Sequence, residues 1–151
     1  MIGHNASVQV DTTIIIERSA IDAFEFIADM ANNPKWQRGQ RSCEWTSEPP
    51  IRVGSTYEQV AKFLWREIRS SFEVVEYEPD RIRIVSTAGT MPIDVTRTVA
   101  PEGVDRCSVS AIVRGEPPTA MRLLGPVLSA LVRRSVAADY RRLKMLLEAD
   151  S

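Results

Sequence analysis

From about Pro118 to Asp150 the chain reads as one long amphipathic helix, while nearly everything between Ser7 and Glu116 reads as strands. Met121, Leu124, Leu128, Val132, Val136, Tyr140, Leu143 and Leu147 recur at helical spacing, with Arg133, Arg134, Arg141, Lys144 and Glu148 on the opposite side. A helix of roughly 30 residues spans about 45 Å at ~1.5 Å per residue. A compact domain of this length is only about 40 Å across. The helix must therefore cross the whole domain, and a curved sheet is the natural surface to receive it. That geometry leaves a hollow between sheet and helix, which points to a small-molecule container. Pro126 cannot donate a backbone hydrogen bond, so a kink or a local restart is predicted there.

The strands announce themselves by alternation. Val8, Val10, Thr12, Ile14 and Ile16 alternate with Gln9, Asp11 and Thr13 in a first strand, and Ile15 makes its end apolar on both faces. Ser19 is placed to cap a short helix whose apolar face is Ile21, Phe24, Ile27 and Ala28. Pro34 disfavours a helical Asn33 and predicts a break or a second short turn through Trp36. Further strands are predicted at Arg41–Thr46, Thr56–Arg66, Glu67–Tyr77, Arg81–Ser86, Met91–Val99 and Arg106–Arg114, with Pro101-Glu102-Gly103 as a hairpin turn. Short connections between consecutive strands imply an antiparallel meander. The order is strand, two short helices, six strands, long helix: an α+β fold with helices on one face of a sheet of about seven strands.

Composition bounds the function. At 151 residues the chain fits one domain, with its core over about residues 8–149. A net charge of −1 gives no global field to recruit nucleic acid. No run of about 18 apolar residues predicts a transmembrane helix, and the first ten residues lack a signal-peptide pattern, so a cytoplasmic location is expected. Cys43 and Cys107 are the only cysteines, expected reduced, and His4 is the only histidine. No protein-held zinc and no cofactor is expected, and the usual histidine-based catalytic schemes are removed.

These residues also carry a resemblance. The Ile14-Ile15-Ile16 strand leads into Ala23-Phe24-Glu25-Phe26-Ile27-Ala28-Asp29, then Asn33-Pro34-Lys35-Trp36; Val53-Gly54-Ser55-Thr56-Tyr57, Val74-Val75-Glu76-Tyr77-Glu78-Pro79 and the closing Leu143-Lys144-Met145-Leu146-Leu147-Glu148 follow. The chain resembles the START-like (SRPBCC) superfamily with its birch-pollen-allergen-like helix-grip fold, and within it the polyketide cyclase/dehydrase and lipid-transport group. The resemblance covers about Val8 to Ala149 and implies a cavity between the concave sheet face and the long helix. Members bind lipids, quinones, sterols, plant hormones or polyketides, and some are cyclases or dehydratases. No catalytic motif is shared across the superfamily.

Candidate ligand contacts are Trp36, Tyr57, Phe63, Trp65, Phe72, Met91 and Met121, with Leu124, Leu128 and Val132 on the helix. Aromatics lining an apolar cleft would hold a flat hydrophobic ligand; ordinary core packing is the competing reading. Alternation alone leaves open which face of the third strand is concave, the Tyr57/Phe63/Trp65 face or the Val60/Leu64 face. In relatives the tryptophan matching Trp36 sits near a cavity mouth. Asp29 either acts as a base or ties the turn that follows it. Among the strand charges Asp94, Arg97, Glu58 and Arg114, Arg97 is retained as the catalytic candidate, because it shares a face with Val95 and Val99. A buried arginine could polarise a ligand carbonyl. Leu123, Val127 and Leu131 form a second apolar stripe, read as a wider buried face, a homodimer contact or a membrane-contact patch. The expected partner is a small hydrophobic molecule such as a lipid, a quinone or a polyketide-like aromatic. A cyclase or dehydratase acting on such a molecule is the alternative, and a protein-interaction or stress-related module with a filled cavity the second.

Overall fold

The computed structural model describes residues 8–63, 65–89, 92–116 and 125–149, without the side chain of Phe63. The chain forms β1 (Val8–Ile16), α1 (Ala20–Ala28), a 3₁₀ turn (Met30–Asn32), α2 (Asn33–Trp36), β2 (Gln40–Trp45), β3 (Thr56–Phe63), β4 (Arg66–Glu78), β5 (Arg81–Ala88), β6 (Ile93–Gly103), β7 (Arg106–Gly115) and α3 (Gly125–Ala149). The seven strands make one antiparallel sheet in the order β1-β7-β6-β5-β4-β3-β2. Register shifts at Gln40/Ser42, Ser71/Phe72, Val74/Glu76 and Pro101/Gly103 bend the strands and curl the sheet. This is the helix-grip architecture expected from the sequence.

Alternation works as predicted in most strands. Cys107, Val109 and Ala111 of β7 and Phe72 and Val74 of β4 turn inward, and α1 buries Ala23, Phe24, Ile27 and Ala28 against them. In β3, Tyr57 and Gln59 are buried while Glu58 is exposed, so the Tyr57 face is the concave one. The helix α3 buries Leu128, Tyr140, Leu143 and Leu147, each such leucine contributing about 1.5–3 kcal/mol of transfer free energy. Its far end is pinned to β1 by polar contacts: Lys144 Nζ donates to the carbonyl of Ile15 (2.7 Å), the Glu17 amide donates to Glu148 (2.8 Å), and Arg18 donates to the carbonyl of Leu147 (2.9 Å).

Ser19 caps α1 by accepting from the Asp22 amide at 3.2 Å. Asp29 accepts from the Ala31 amide (3.2 Å) and from Trp45 Nε1 (2.8 Å), which ties the turn after α1 to β2. Pro126 lies in α3 next to residues 117–124, which are outside the described residues, so the kink or restart expected there falls at the edge of what is described.

Three sequence expectations are corrected. Ile21, expected on the apolar face of α1, is 72% exposed, and Ala23 is buried instead. The β6–β7 turn is Val104-Asp105, because a bulge at Pro101/Gly103 lets β6 run on to pair Gly103 with Arg106. The strand expected over Thr56–Arg66 stops at Phe63, which pairs with Arg66. Trp65 therefore loses its alternation phase, sits in the hairpin tip and is 82% exposed. Among the described residues no helix is long and apolar enough to cross a membrane.

Candidate ligand site

Between the concave face of the sheet and α3 lies a cavity of about 170 Å³. Its apolar wall comes from Phe72, Ile84, Ile93, Val95, Val113 and Val136. Its polar wall comes from Asn33, Gln37, Gln40, Tyr57, Gln59, Arg97, Asp139 and Tyr140. The deep part is aromatic: Tyr57 stacks on Phe72 (5.1 Å between centroids, 10° between planes) and receives the edge of Trp45 at 5.3 Å.

Arg97 is the organising charge. It points inward from β6, flanked by Ile82 on β5 and the small Ala111 on β7, and is 4% exposed. Its Nη1 donates to the carbonyl of Ile27 (2.8 Å) and to Oδ1 of Asn33 (3.1 Å), and lies 3.4 Å from Met30 Sδ. Its guanidinium carbon is 4.9 Å from the centre of the Trp36 ring. No carboxylate among the described residues forms an ion pair with it. Its Nε–H is buried and has no hydrogen-bond partner among the described residues; Gln40 Oε1 on the same wall and Trp36 Nε1 share that condition. A buried guanidinium is normally paired, because desolvating a charge is costly.

The neighbours of Arg97 stay neutral. Burial pushes the Cys43 thiol up to about 12, with Arg97 opposing the rise. Burial also drives the Tyr57 and Tyr140 phenols above their ordinary range against the same opposing charge. Both tyrosines therefore present hydroxyls, not phenolates, at neutral pH. Burial raises the Asp139 carboxyl as well, partly offset by the Arg38 amide (3.3 Å) and the Arg142 guanidinium, both of which donate to it. The cavity thus combines a cation, two phenol donors, amides of either polarity and one acid of raised pKa.

The residues singled out by sequence are distributed unevenly. Tyr57, Phe72 and Arg97 line the cavity together. Trp36 is not among the lining residues: it is 1% exposed and packs edge-on to Tyr140 at 4.9 Å, one layer behind the wall. Trp65, exposed at the hairpin tip, is removed from the site. Leu128 is buried and Val132 half-buried, and neither is among the described lining residues. Met91, Met121, Leu124 and the Phe63 side chain lie outside the described residues.

Sequence reasoning passed over Asp139, Tyr140 as a polar wall residue, Asn33, Gln37, Gln40 and Gln59. Gln59 was findable, since it shares the alternation face of Tyr57. Asp139 was findable as an acid directly beside the buried stripe of α3.

The profile of the polyketide cyclase/dehydrase and lipid transport family matches residues 7–148. The chain belongs to this family. Among solved structures, the protein TTHA0849 from Thermus thermophilus superposes with a TM-score of 0.80 at 18% identity, covering 95% of this chain and 99% of the other. A START superfamily protein from Mycobacterium smegmatis gives 0.79 at 15% identity, over 95% and 99%. The ZhuI aromatase/cyclase from a Streptomyces species gives 0.77 at 11% identity, over 94% of each chain. At these identities the structural likeness establishes the helix-grip fold. No curated protein sequence matches the chain significantly.

Proposed function

We propose that the cavity binds a compact, flat hydrophobic molecule bearing an acceptor oxygen, with Arg97 as the recognition donor. The observation that carries this reading is the buried Arg97 side chain on the cavity wall with its Nε–H unpartnered among the described residues. A carbonyl, carboxylate or phenolate oxygen placed there would satisfy that donor and offset the desolvated charge. Tyr57 and Tyr140 supply further donors to the same oxygen or to a second one. The size favours rings over long chains. A cavity of about 150 Å³ accommodates benzene, and drug-sized ligands occupy about 300–1,000 Å³. The 170 Å³ here suits one or two rings better than an acyl chain. The family description and the aromatase/cyclase neighbour are consistent with such a ligand.

One observation favours a cyclase or dehydratase as the second reading. Asp139, with its raised pKa, lines the same cavity as Arg97. Its carboxylate could take the α-proton of a β-hydroxy ketone and return that proton to the departing hydroxyl, so that water leaves. Arg97 would meanwhile hold an enolate oxygen formed beside it.

Isothermal titration with 2-naphthoate and with naphthalene separates these ideas from packing alone. The proposal expects naphthoate to bind the protein at least tenfold more tightly than naphthalene, and Arg97→Met to erase that preference. Equal affinities for the two probes would remove Arg97 from recognition. Loss of water from a β-hydroxy aryl ketone, abolished in Asp139→Asn with binding retained, would favour the enzyme.

A further inference from the structure

We infer that the end of the sheet carrying the β3–β4 and β5–β6 turns, with the neighbouring turns of α3, docks on an anionic lipid bilayer. Because the strands alternate in direction, the β3–β4 and β5–β6 turns, the start of β1 and the exit from β7 lie at one end of the sheet, where Val8 and Ile93 both pair with Gly115. The cavity wall reaches that end through Gln37, Gln40, Ile93 and Val113. The described part of α3 begins there too. Lys144 binds Ile15 near the opposite end. Running back along the roughly 23 Å of β1 from Ile15 to Val8 brings about residue 129 level with Val8. Hydrogen bonds join the parts of this end: the Arg38 amide donates to Asp139 of α3, and the Lys62 amide of β3 donates to the carbonyl of neighbouring Gly39 at 2.7 Å.

The surface here is both greasy and cationic. Trp65 at the hairpin tip is 82% exposed, and Val127 and Leu131 on α3 are 59% and 56% exposed. Lys62 and Arg66 flank the tryptophan, and Arg133 and Arg134 follow Leu131; all four are exposed, and none forms an ion pair among the described residues. Residues 125–138 contain no carboxylate. Among the described residues the exposed carboxylates nearest this end are Glu67, across the hairpin from Lys62, Glu116, and Asp11 on β1, whereas Asp94 is bound to Arg83 and Asp139 to Arg142. Cations around an indole and two aliphatic side chains match a bilayer interface: the indole and aliphatics enter the headgroup boundary while the cations meet anionic headgroups. A second copy of the chain fits less well, since a two-fold contact centred on this helix face sets Arg133 and Arg134 against their own copies.

The inference stands on the surface and goes beyond the cavity reading, so the two fail separately. The test is flotation with phosphatidylcholine vesicles, with and without phosphatidylglycerol, at low and high salt, together with quenching of tryptophan fluorescence by brominated lipid. The expected result is binding that requires phosphatidylglycerol and weakens with salt. Each cation removed should cost about fivefold in affinity, so Arg133→Gln with Arg134→Gln should cost about 25-fold. Trp65→Ser should abolish the quenching and weaken binding while leaving naphthoate affinity intact. All these side chains are exposed, so melting curves of the variants should match the parent. Absence of vesicle binding at low salt, equal binding to neutral vesicles, or a dimer by sedimentation that buries Trp65 would each overturn the inference.

Discussion

The Arg97 guanidinium lies 4.9 Å from the centre of the Trp36 ring, and Trp36 in turn meets Tyr140 edge-on at the same distance. A desolvated cation over an indole face is worth about 2 kcal/mol. This pair explains how a buried charge persists on β6 without a carboxylate partner among the described residues: ring, carbonyl and amide together take an anion's place on one side. The other side is left facing the cavity.

Replacing Arg97 separates recognition from folding. Arg97→Met leaves the Ile27 carbonyl and Asn33 Oδ1 without their donor, which costs roughly 1–3 kcal/mol each, but also removes the desolvated charge. The net change in urea denaturation should stay below about 2 kcal/mol. Loss of one charged hydrogen bond should weaken naphthoate binding by about 10- to 100-fold.

Trp36→Ala should cut stability far more, by about 3–5 kcal/mol in the same denaturation assay, because a fully buried ring and both its contacts are lost. Trp65→Ser, at the exposed tip, should fall within about 0.5 kcal/mol of the parent.

Gly89 adopts φ +137, and a Cβ there would lie 2.6 Å from Ser70 Oγ and 3.2 Å from Ser70 Cα. Gly89→Ala should destabilise by about 2 kcal/mol or more, through backbone strain and collision together. Adding Ser70→Ala should recover only part, since the strain and the close Cα remain. Gly54→Ala, at φ +98 in open space, should cost about 1 kcal/mol. Thermal melts of the three variants rank the two effects.

Alkaline pH should destabilise the fold. Cys43 titrates near 12 when folded against an ordinary 9.0, and Cys107, Tyr57 and Tyr140 are raised in the same direction by burial. The unfolded chain releases these protons first, so stability is fully present below about pH 9 and falls as pH climbs towards 12. Melting temperature against pH should show that decline, and Cys43→Ala should flatten it. Asp139 is also raised when folded, above an ordinary 3.8. Its contribution is greatest below that value and lost as pH rises through the folded pKa. Asp139→Asn should therefore raise stability at neutral pH.

Most of the architecture was legible because it rests on periodicity. The alternation of Val8 to Ile16, and of Cys107 to Val113, pairs in register as β1 and β7. Alternation fails where a turn or bulge resets the phase, which is why it puts Trp65 on an inner face and makes a turn of Pro101-Glu102-Gly103. The site was harder to read for a related reason. Residue type and face single out Trp36 and Arg97, but whether an aromatic lines a wall or stands behind it depends on rotamers and on α3, separated from it by about 100 residues. Asp139 shows the same limit: its raised pKa comes from burial, which the Arg38 amide on a distant turn and Arg142 partly offset.

The most direct measurement is a titration of ¹⁵N-labelled protein with 2-naphthoate, following the side-chain Nε–H of Arg97 and the indole of Trp65. Recognition by Arg97 predicts a saturating shift of its Nε–H, at the affinity seen by calorimetry, with the Trp65 indole unmoved. A fixed Arg97 signal at saturating naphthoate, with shifts confined to surface residues, would contradict it.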